Sequence, residues 1–252
     1  MNVRTPLSKF DLRIKKKYNV LEVGSGHNPH PLSHTIVDKF LDDNNTHRSG
    51  KIKIFKNQKF LKADGEQLPF NNNEFDYSLC IHVLEHVENP DKFLSEQMRV
   101  AKRGYIETPS IIGEHLHPKE SHKWVILNID NTLILYDKHS IGFHTSCDFN
   151  ELFLSYLKKN SLAFKFLEIT RPTLRRVQLE WENNINYKIN PDDKQIMGYF
   201  NKPWNKDIIE YFFPSKSIFH DLKAIHKFMM VELIANRGQG SRGKFFKSLL
   251  YQ

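Results

Sequence analysis

Val20-Leu21-Glu22-Val23-Gly24-Ser25-Gly26-His27-Asn28-Pro29 is the stretch that decides the fold. From Tyr18 to Val23 it predicts a buried strand that carries one acidic residue, Glu22, and runs straight into two glycines. Glycine lets the backbone turn sharply and approach a ligand with no Cβ in the way. In an open parallel sheet, ligands sit beyond the carboxyl ends of the strands, at the switch point. The stretch therefore predicts a turn that holds a nucleoside-containing cofactor. A plain strand-to-loop turn is the alternative that the rest of the chain must decide.

Outward from that turn, Pro29 and Pro31 remove backbone donors and argue against a full-length helix before the next strand, Thr35 to Asp38. Asp38 falls at the end of that second strand, where a carboxylate can accept from both hydroxyls of a ribose. Residues 40–59 are polar and read as a long loop. Phe60 to Ala63 predicts a third strand, followed by Asp64-Gly65-Glu66-Gln67-Leu68-Pro69-Phe70, and Phe75 to Ile81 a fourth. After His82-Val83-Leu84-Glu85-His86-Val87, the pair Asn89-Pro90 starts an amphipathic helix through Phe93, Leu94, Met98 and Val100. Gly104 to Thr108 predicts a fifth strand, stopped by Pro109. Strands alternating with helices or loops imply a parallel α/β sheet with crossovers.

The second half is less regular. Residues 110–122 read as a loop rich in His and Glu. Trp124–Leu127 and Thr132–Tyr136 predict a hairpin around Asp130-Asn131, Phe149–Leu157 a helix, Leu162–Ile169 a strand and Ile218–Asn236 a helix. No pattern emerges over 178–215. The chain of 252 residues has 37 Lys and Arg against 29 Asp and Glu, a net charge of +8. That balance allows nucleic acid, an anionic membrane surface or a phosphorylated substrate, or simply a solvated basic face. Arg171, Arg175 and Arg176 are candidates for a phosphate group. Cys80 and Cys147 have no CxxC spacing, which fits a reducing compartment and a cytoplasmic location. Residues 1–17 lack an apolar core and read as a leader rather than a secretory signal. No run is long and apolar enough to span a membrane. The basic tail from Gly238 to Gln252, with Phe245 and Phe246, reads as a poorly ordered end or a peripheral membrane or partner contact.

The ordered set Leu21-Glu22-Val23-Gly24-Ser25-Gly26, Val37-Asp38, Ala63-Asp64-Gly65-Glu66-Gln67-Leu68-Pro69-Phe70, Glu74-Phe75-Asp76-Tyr77, His82 to Val87 and Arg99 to Gly104 resembles the class I S-adenosylmethionine-dependent methyltransferases, over about residues 18–109. It is most similar to their small-molecule branch. The resemblance implies a Rossmann-like, mostly parallel sheet with flanking helices and a C-terminal α+β cap that binds the acceptor. It implies a cofactor domain over 18–170 and an irregular, helical extension over 171–252. It also implies S-adenosyl-L-methionine as cofactor: Glu22, Gly24 and Gly26 at its methionine end, Asp38 on the ribose, Asp64 with Gly65 on the adenine, and His82 near the sulfonium methyl. The chain departs from the family in two ways. The third glycine of the first motif is missing, with Asn28 or Pro29 in its region, and the first crossover is short and proline-rich.

Methyl transfer from a sulfonium is an in-line displacement, so aligning the acceptor dominates; a base adds about 10²–10⁴-fold. His82 and His86, four apart, would share a helix face and are the candidate catalytic bases. Glu107 to Trp124 holds three carboxylates and three histidines. Within it Glu114, His115, His117 and His122 are candidate ligands for a divalent ion such as Mn²⁺ or Mg²⁺, able to orient vicinal hydroxyls and lower the pKa of one. The His122-Lys123-Trp124 segment is similar to that of family members linked to polysaccharide assembly, which implies a carbohydrate hydroxyl, on a surface polysaccharide or nucleotide-sugar, as acceptor. The competing expectations are another small-molecule acceptor (a lipid, quinone or amine) and a non-catalytic cofactor-binding scaffold. Nucleic acid is not expected, because no Asn-Pro-Pro-Tyr-type tetrapeptide follows the fourth strand.

Overall fold

The computed structural model describes residues 6–40, 52–145 and 148–237. Cys147 and the basic tail fall outside them. The central sheet runs β3-β2-β1-β4-β5-β8. Its strands are β1 (Val20–Val23), β2 (Thr35–Asp38), β3 (Lys59–Lys62), β4 (Tyr77–Ile81), β5 (Arg103–Pro109) and β8 (Arg176–Glu182). The first five are mutually parallel, and β8 closes the edge antiparallel to β5. Chain order reverses between β1 and β4, so the switch point lies directly beyond the Gly24–Gly26 turn. The fold is α/β, with a largely parallel sheet and flanking helices. The sheet takes its last strand from beyond residue 170.

Strand β1 is buried at all four residues because it is central and both of its faces are covered. One face meets α1 (Pro90–Val100), whose Phe93, Leu94 and Val100 pack with Leu21, Val37 and Ile106. Asn89 caps this helix by accepting from the Lys92 amide, and Pro90 sits at its first position, as the sequence predicts. The other face carries Val20, Tyr77, Leu79 and Tyr105, covered by Leu12 and Ile14 of the N-terminal segment. That segment is packed structure over the residues described. No helix joins β1 to β2, in keeping with Pro29 and Pro31.

A second, three-stranded sheet holds β6 (Trp124–Ile129), β7 (Thr132–Asp137) and β9 (Asn186–Ile189). The β6–β7 hairpin turns on Asp130 and Asn131, both with positive φ (48° and 61°), which is the two-residue turn that matches strand twist. Its outer face packs with α2 (Ile111–Leu116) and α5 (Lys194–Asn201) through Ile111, Ile134, Tyr136 and Phe200. Helix α6 (Lys206–Phe212) adds Phe212 to that cluster. The remaining helices are a π-helical segment (Glu151–Tyr156) leading into α3 (Leu157–Asn160), then α4 (Leu162–Thr170) and α7 (Ile218–Arg237).

Two expectations are corrected. Leu162–Ile169 is helix α4, not a strand. Ser161 caps it by accepting from the Phe164 amide, and its apolar residues suit either period. Residues 110–122 are not all loop. Ser110 accepts from the Gly113 amide and starts α2, which Gly113 had disguised; a Cβ on that glycine would lie 2.3 Å from the Arg175 carbonyl oxygen.

Candidate active site

A cavity of about 310 Å³ opens at the switch point. Gly24, Gly26, Asp38, Asp64, Gly65 and His82 all line it, which gathers six of the seven residues assigned to the cofactor from sequence. Gly24 has φ +71°, and a Cβ there would come within 2.3 Å of Val83 Cγ2, so only glycine fits. Gly26 has φ +53° and nothing within 4 Å of where a Cβ would stand, which leaves its backbone open to a ligand. Gly65 rests on Phe93, whose Cε2 would be 2.6 Å from a Cβ.

The seventh residue, Glu22, is placed differently. It is buried beneath the turn and does not line the cavity. Its Oε2 accepts from the Ser33 hydroxyl (2.6 Å) and the His30 amide (2.8 Å). Burial pushes its carboxyl up, against the pull of those two donors. Glu22 thus braces the proline-containing crossover that stands where a helix would otherwise support the turn. Asp38 Oδ1 accepts from the Phe40 amide at 3.0 Å. Asp64 Oδ1 accepts from the Glu66 amide, and Oδ2 pairs with Lys39 at 2.6 Å. Burial acts to raise the Asp64 carboxyl, but Lys39 and the Glu66 amide outweigh it and hold the group down. Lys39 is half-exposed, and the Asp64 carboxylate keeps lone pairs for a ligand amine beside it.

His82 and His86 do not share a helical face. His82 has φ +56°, a left-handed conformation that costs a non-glycine residue about 1–3 kcal/mol. A 3₁₀ turn at Leu84–His86 follows it. The strained backbone aims the imidazole between two buried carboxylates: Nδ1 is 3.3 Å from Glu85 Oε1 and Nε2 is 3.5 Å from Glu107 Oε1. The side chain remains 47% exposed on the cavity side. Desolvation pulls the imidazolium down, but Glu107 and Glu85 outweigh it and push the pKa up to about 9. The two carboxylates thus favour the protonated form of His82. Desolvation would raise Glu85, yet His82 and the neighbouring histidines hold it at about 2. Arg176 and His82 likewise hold Glu107 well below the usual carboxylate range, against its burial. Glu107 also accepts from Tyr105 (2.5 Å) and Gln178 (3.2 Å).

These two carboxylates were not singled out from the sequence. The available signal was an ionisable residue inside an otherwise apolar strand, at Glu107, and another in the Leu84-Glu85 turn.

The four candidate metal ligands do not converge as a set. His115 lies against Phe143, with ring centroids 4.5 Å apart. His117 is buried with no hydrogen-bond partner at Nε2, and desolvation together with Arg175 pushes its pKa down to about 4. Glu114 and His122 do meet, Oε2 to Nδ1 at 2.6 Å, and Lys138 holds the other oxygen of Glu114. Among the described residues, the His and carboxylate side chains that gather ligand atoms within 4.8 Å are Glu85, His86 and His122. Arg175 is buried, paired with Glu168 and 5.1 Å from the Phe164 ring, and Arg171 pairs with Asp221.

Residues 23–106 match the family described as methyltransferase domain. That stretch, from the end of β1 into β5, is similar to a methyltransferase domain. An uncharacterised protein of Methanocaldococcus jannaschii is 40% identical over 76 residues, covering 28% of this chain and 37% of that protein. Demethylmenaquinone methyltransferase of Paenarthrobacter aurescens is 30% identical over 119 residues, covering 46% and 45%. The chain thus spans less than half the length of these curated relatives. A solved S-adenosylmethionine-dependent methyltransferase of Mesorhizobium loti is 13% identical, covering 39% of this chain and 50% of that one, with a TM-score of 0.29, too low to bear on function. Among the described residues, no helix is long and apolar enough to cross a membrane.

Proposed function

We propose that this protein transfers a methyl group from S-adenosylmethionine to a hydroxyl oxygen of a small acceptor, a carbohydrate hydroxyl being the reading we favour. The observation that carries the methyl-transfer reading is the single cavity onto which Gly24, Gly26, Asp38, Asp64, Gly65 and His82 open together. Asp38 would accept from the ribose hydroxyls. Asp64 would accept from the adenine amino group. The glycines leave room for the methionine end.

In the reaction the acceptor oxygen bonds to the methyl carbon as the carbon–sulfur bond breaks, the bonding pair stays on sulfur, and the acceptor's proton passes to solvent water. Holding the two partners in line is the larger contribution. Both ring nitrogens of His82 face Glu85 and Glu107, so its contribution would be the charge it holds beside the acceptor rather than a direct hydrogen bond. Those carboxylates favour its protonated form, which does not accept a proton. The carbohydrate reading is supported by the polar rim beside His82, where His86, Glu120, Ser121 and Lys123 offer hydrogen-bonding groups to a hydroxylated ligand. The match to demethylmenaquinone methyltransferase favours a second reading, a quinol acceptor.

Labelled S-adenosylmethionine offered with sugars, nucleotide-sugars, quinols and amines separates these. Label in the sugars is the expected result. Label confined to quinols would establish the second reading. Cofactor binding with no transfer to any acceptor would leave a scaffold.

A further inference from the structure

We infer that Glu85, His86 and His122 form a binding site for a divalent transition-metal ion at the wall of the cavity. Glu85 and His86 come from the 3₁₀ turn after β4, and His122 from the segment that leads into β6. Their ligand atoms lie within 4.8 Å of one another. Glu85 Oε1 stands 4.0 Å from His122 Nε2. An ion at about 2.0–2.2 Å from each ligand draws neighbouring ligands to about 3–3.5 Å of one another. Small side-chain rotations close that gap.

The outer contacts aim the lone pairs inward. Nδ1 of His122 meets Glu114, which accepts only, so in the neutral ring Nδ1 holds the proton and Nε2 the lone pair. Lys138 in turn pins Glu114. Nδ1 of His86 meets the Ser121 carbonyl at 2.9 Å, with the same consequence for its Nε2. Thr108 Oγ1 donates to Glu85 Oε2 at 2.9 Å, and Glu85 Oε1, which His82 Nδ1 meets at 3.3 Å from one side, faces His122 on the other. Each proposed ligand therefore has an outer partner that fixes its orientation, the arrangement that supports bound metals in proteins. Packing alone would account for the edge-on contact of the two rings, with centroids 4.7 Å apart. Glu85 adds a carboxylate oxygen within 4.8 Å of a nitrogen of each ring, which ring packing does not require.

Two imidazoles and one carboxylate suit Zn²⁺, Fe²⁺ or Mn²⁺ better than Ca²⁺ or Mg²⁺. His86 lines the cavity while Glu85 and His122 do not, so an ion held by all three would lie at the edge of the acceptor space. Any role for the ion toward an acceptor rests on the methyl-transfer reading; the site itself does not.

The test is a titration of metal-stripped full-length protein with Zn²⁺, followed by calorimetry, and with Co²⁺, followed by its visible absorption. One ion per chain is expected, with affinity falling at least about tenfold in His86→Ala and in His122→Ala. The exposed His115→Ala should bind as the parent does. His86 is at the cavity wall, so His86→Ala keeps the test decisive where His122→Ala fails to fold. No binding, or binding indifferent to both substitutions, overturns the site. S-adenosylhomocysteine binding measured on the same stripped protein keeps the two ideas apart. If the nucleoside binds and the added ion does not, the metal site alone falls; if the ion binds and the nucleoside does not, the methyl-transfer reading alone falls.

Discussion

Gly24 and His82 show how single residues shape the cavity. At Gly24 a side chain is excluded twice, by φ +71° and by Val83 Cγ2 at 2.3 Å from a Cβ. Gly24→Ala should destabilise the protein by about 1–3 kcal/mol and abolish nucleoside binding, as read by denaturant unfolding and calorimetry. His82 makes a prediction about pH. Its folded pKa of about 9 lies above its ordinary 6.5. The stabilisation it contributes is then fully present below about 6.5 and lost as pH rises through about 9. The stability gap between the parent and His82→Gln should be constant at pH 5–6 and shrink between pH 7 and 10; a gap that widens over that range would contradict the placement between Glu85 and Glu107. The chemical type of His82 was legible in the sequence, but its protonation was not. That depends on Glu107, 25 positions away in the chain and brought beside it by parallel pairing of β4 with β5.

At the scale of elements, α1 and β1 were readable because their signals are local. Asn89-Pro90 announces the helix start, and the apolar run before two glycines announces the strand. Helix α4 was misread because Leu162, Phe164 and Phe166 alternate while Leu162, Phe166 and Ile169 also repeat at helical spacing; the Ser161 cap decides between them. Strand β8 was missed although Val177, Leu179 and Trp181 alternate with Gln178, Glu180 and Glu182, the period of a strand; its partner β5 lies about 70 residues earlier in the chain. Helix α1 also supports the site directly. Phe93 is fully buried and lies under Gly65 at the cavity floor. Phe93→Ala should cost about 3–5 kcal/mol of unfolding free energy and weaken nucleoside binding in the fraction that still folds. A stability change near zero would show that α1 is not packed against Gly65 as described.

Across the whole molecule, the parallel sheet places the ends of β1, β2 and β4 around one cavity, and the β6–β7 sheet stands beside it. Trp124 Nε1 donates to the Val87 carbonyl and the Lys123 amide to the Glu85 carbonyl, so the second sheet is fastened to the turn that carries His82 and His86. That attachment is what brings His122 to Glu85, and no sequence spacing foretells it. The measurement that bears most directly on the account is calorimetric binding of S-adenosylhomocysteine to the full-length protein and to Asp64→Ala. The account predicts one nucleoside per chain, with affinity reduced about 10- to 100-fold by the substitution, the worth of a hydrogen bond to a charged group. Absence of binding to the parent, or binding that Asp64→Ala leaves unchanged, would contradict it.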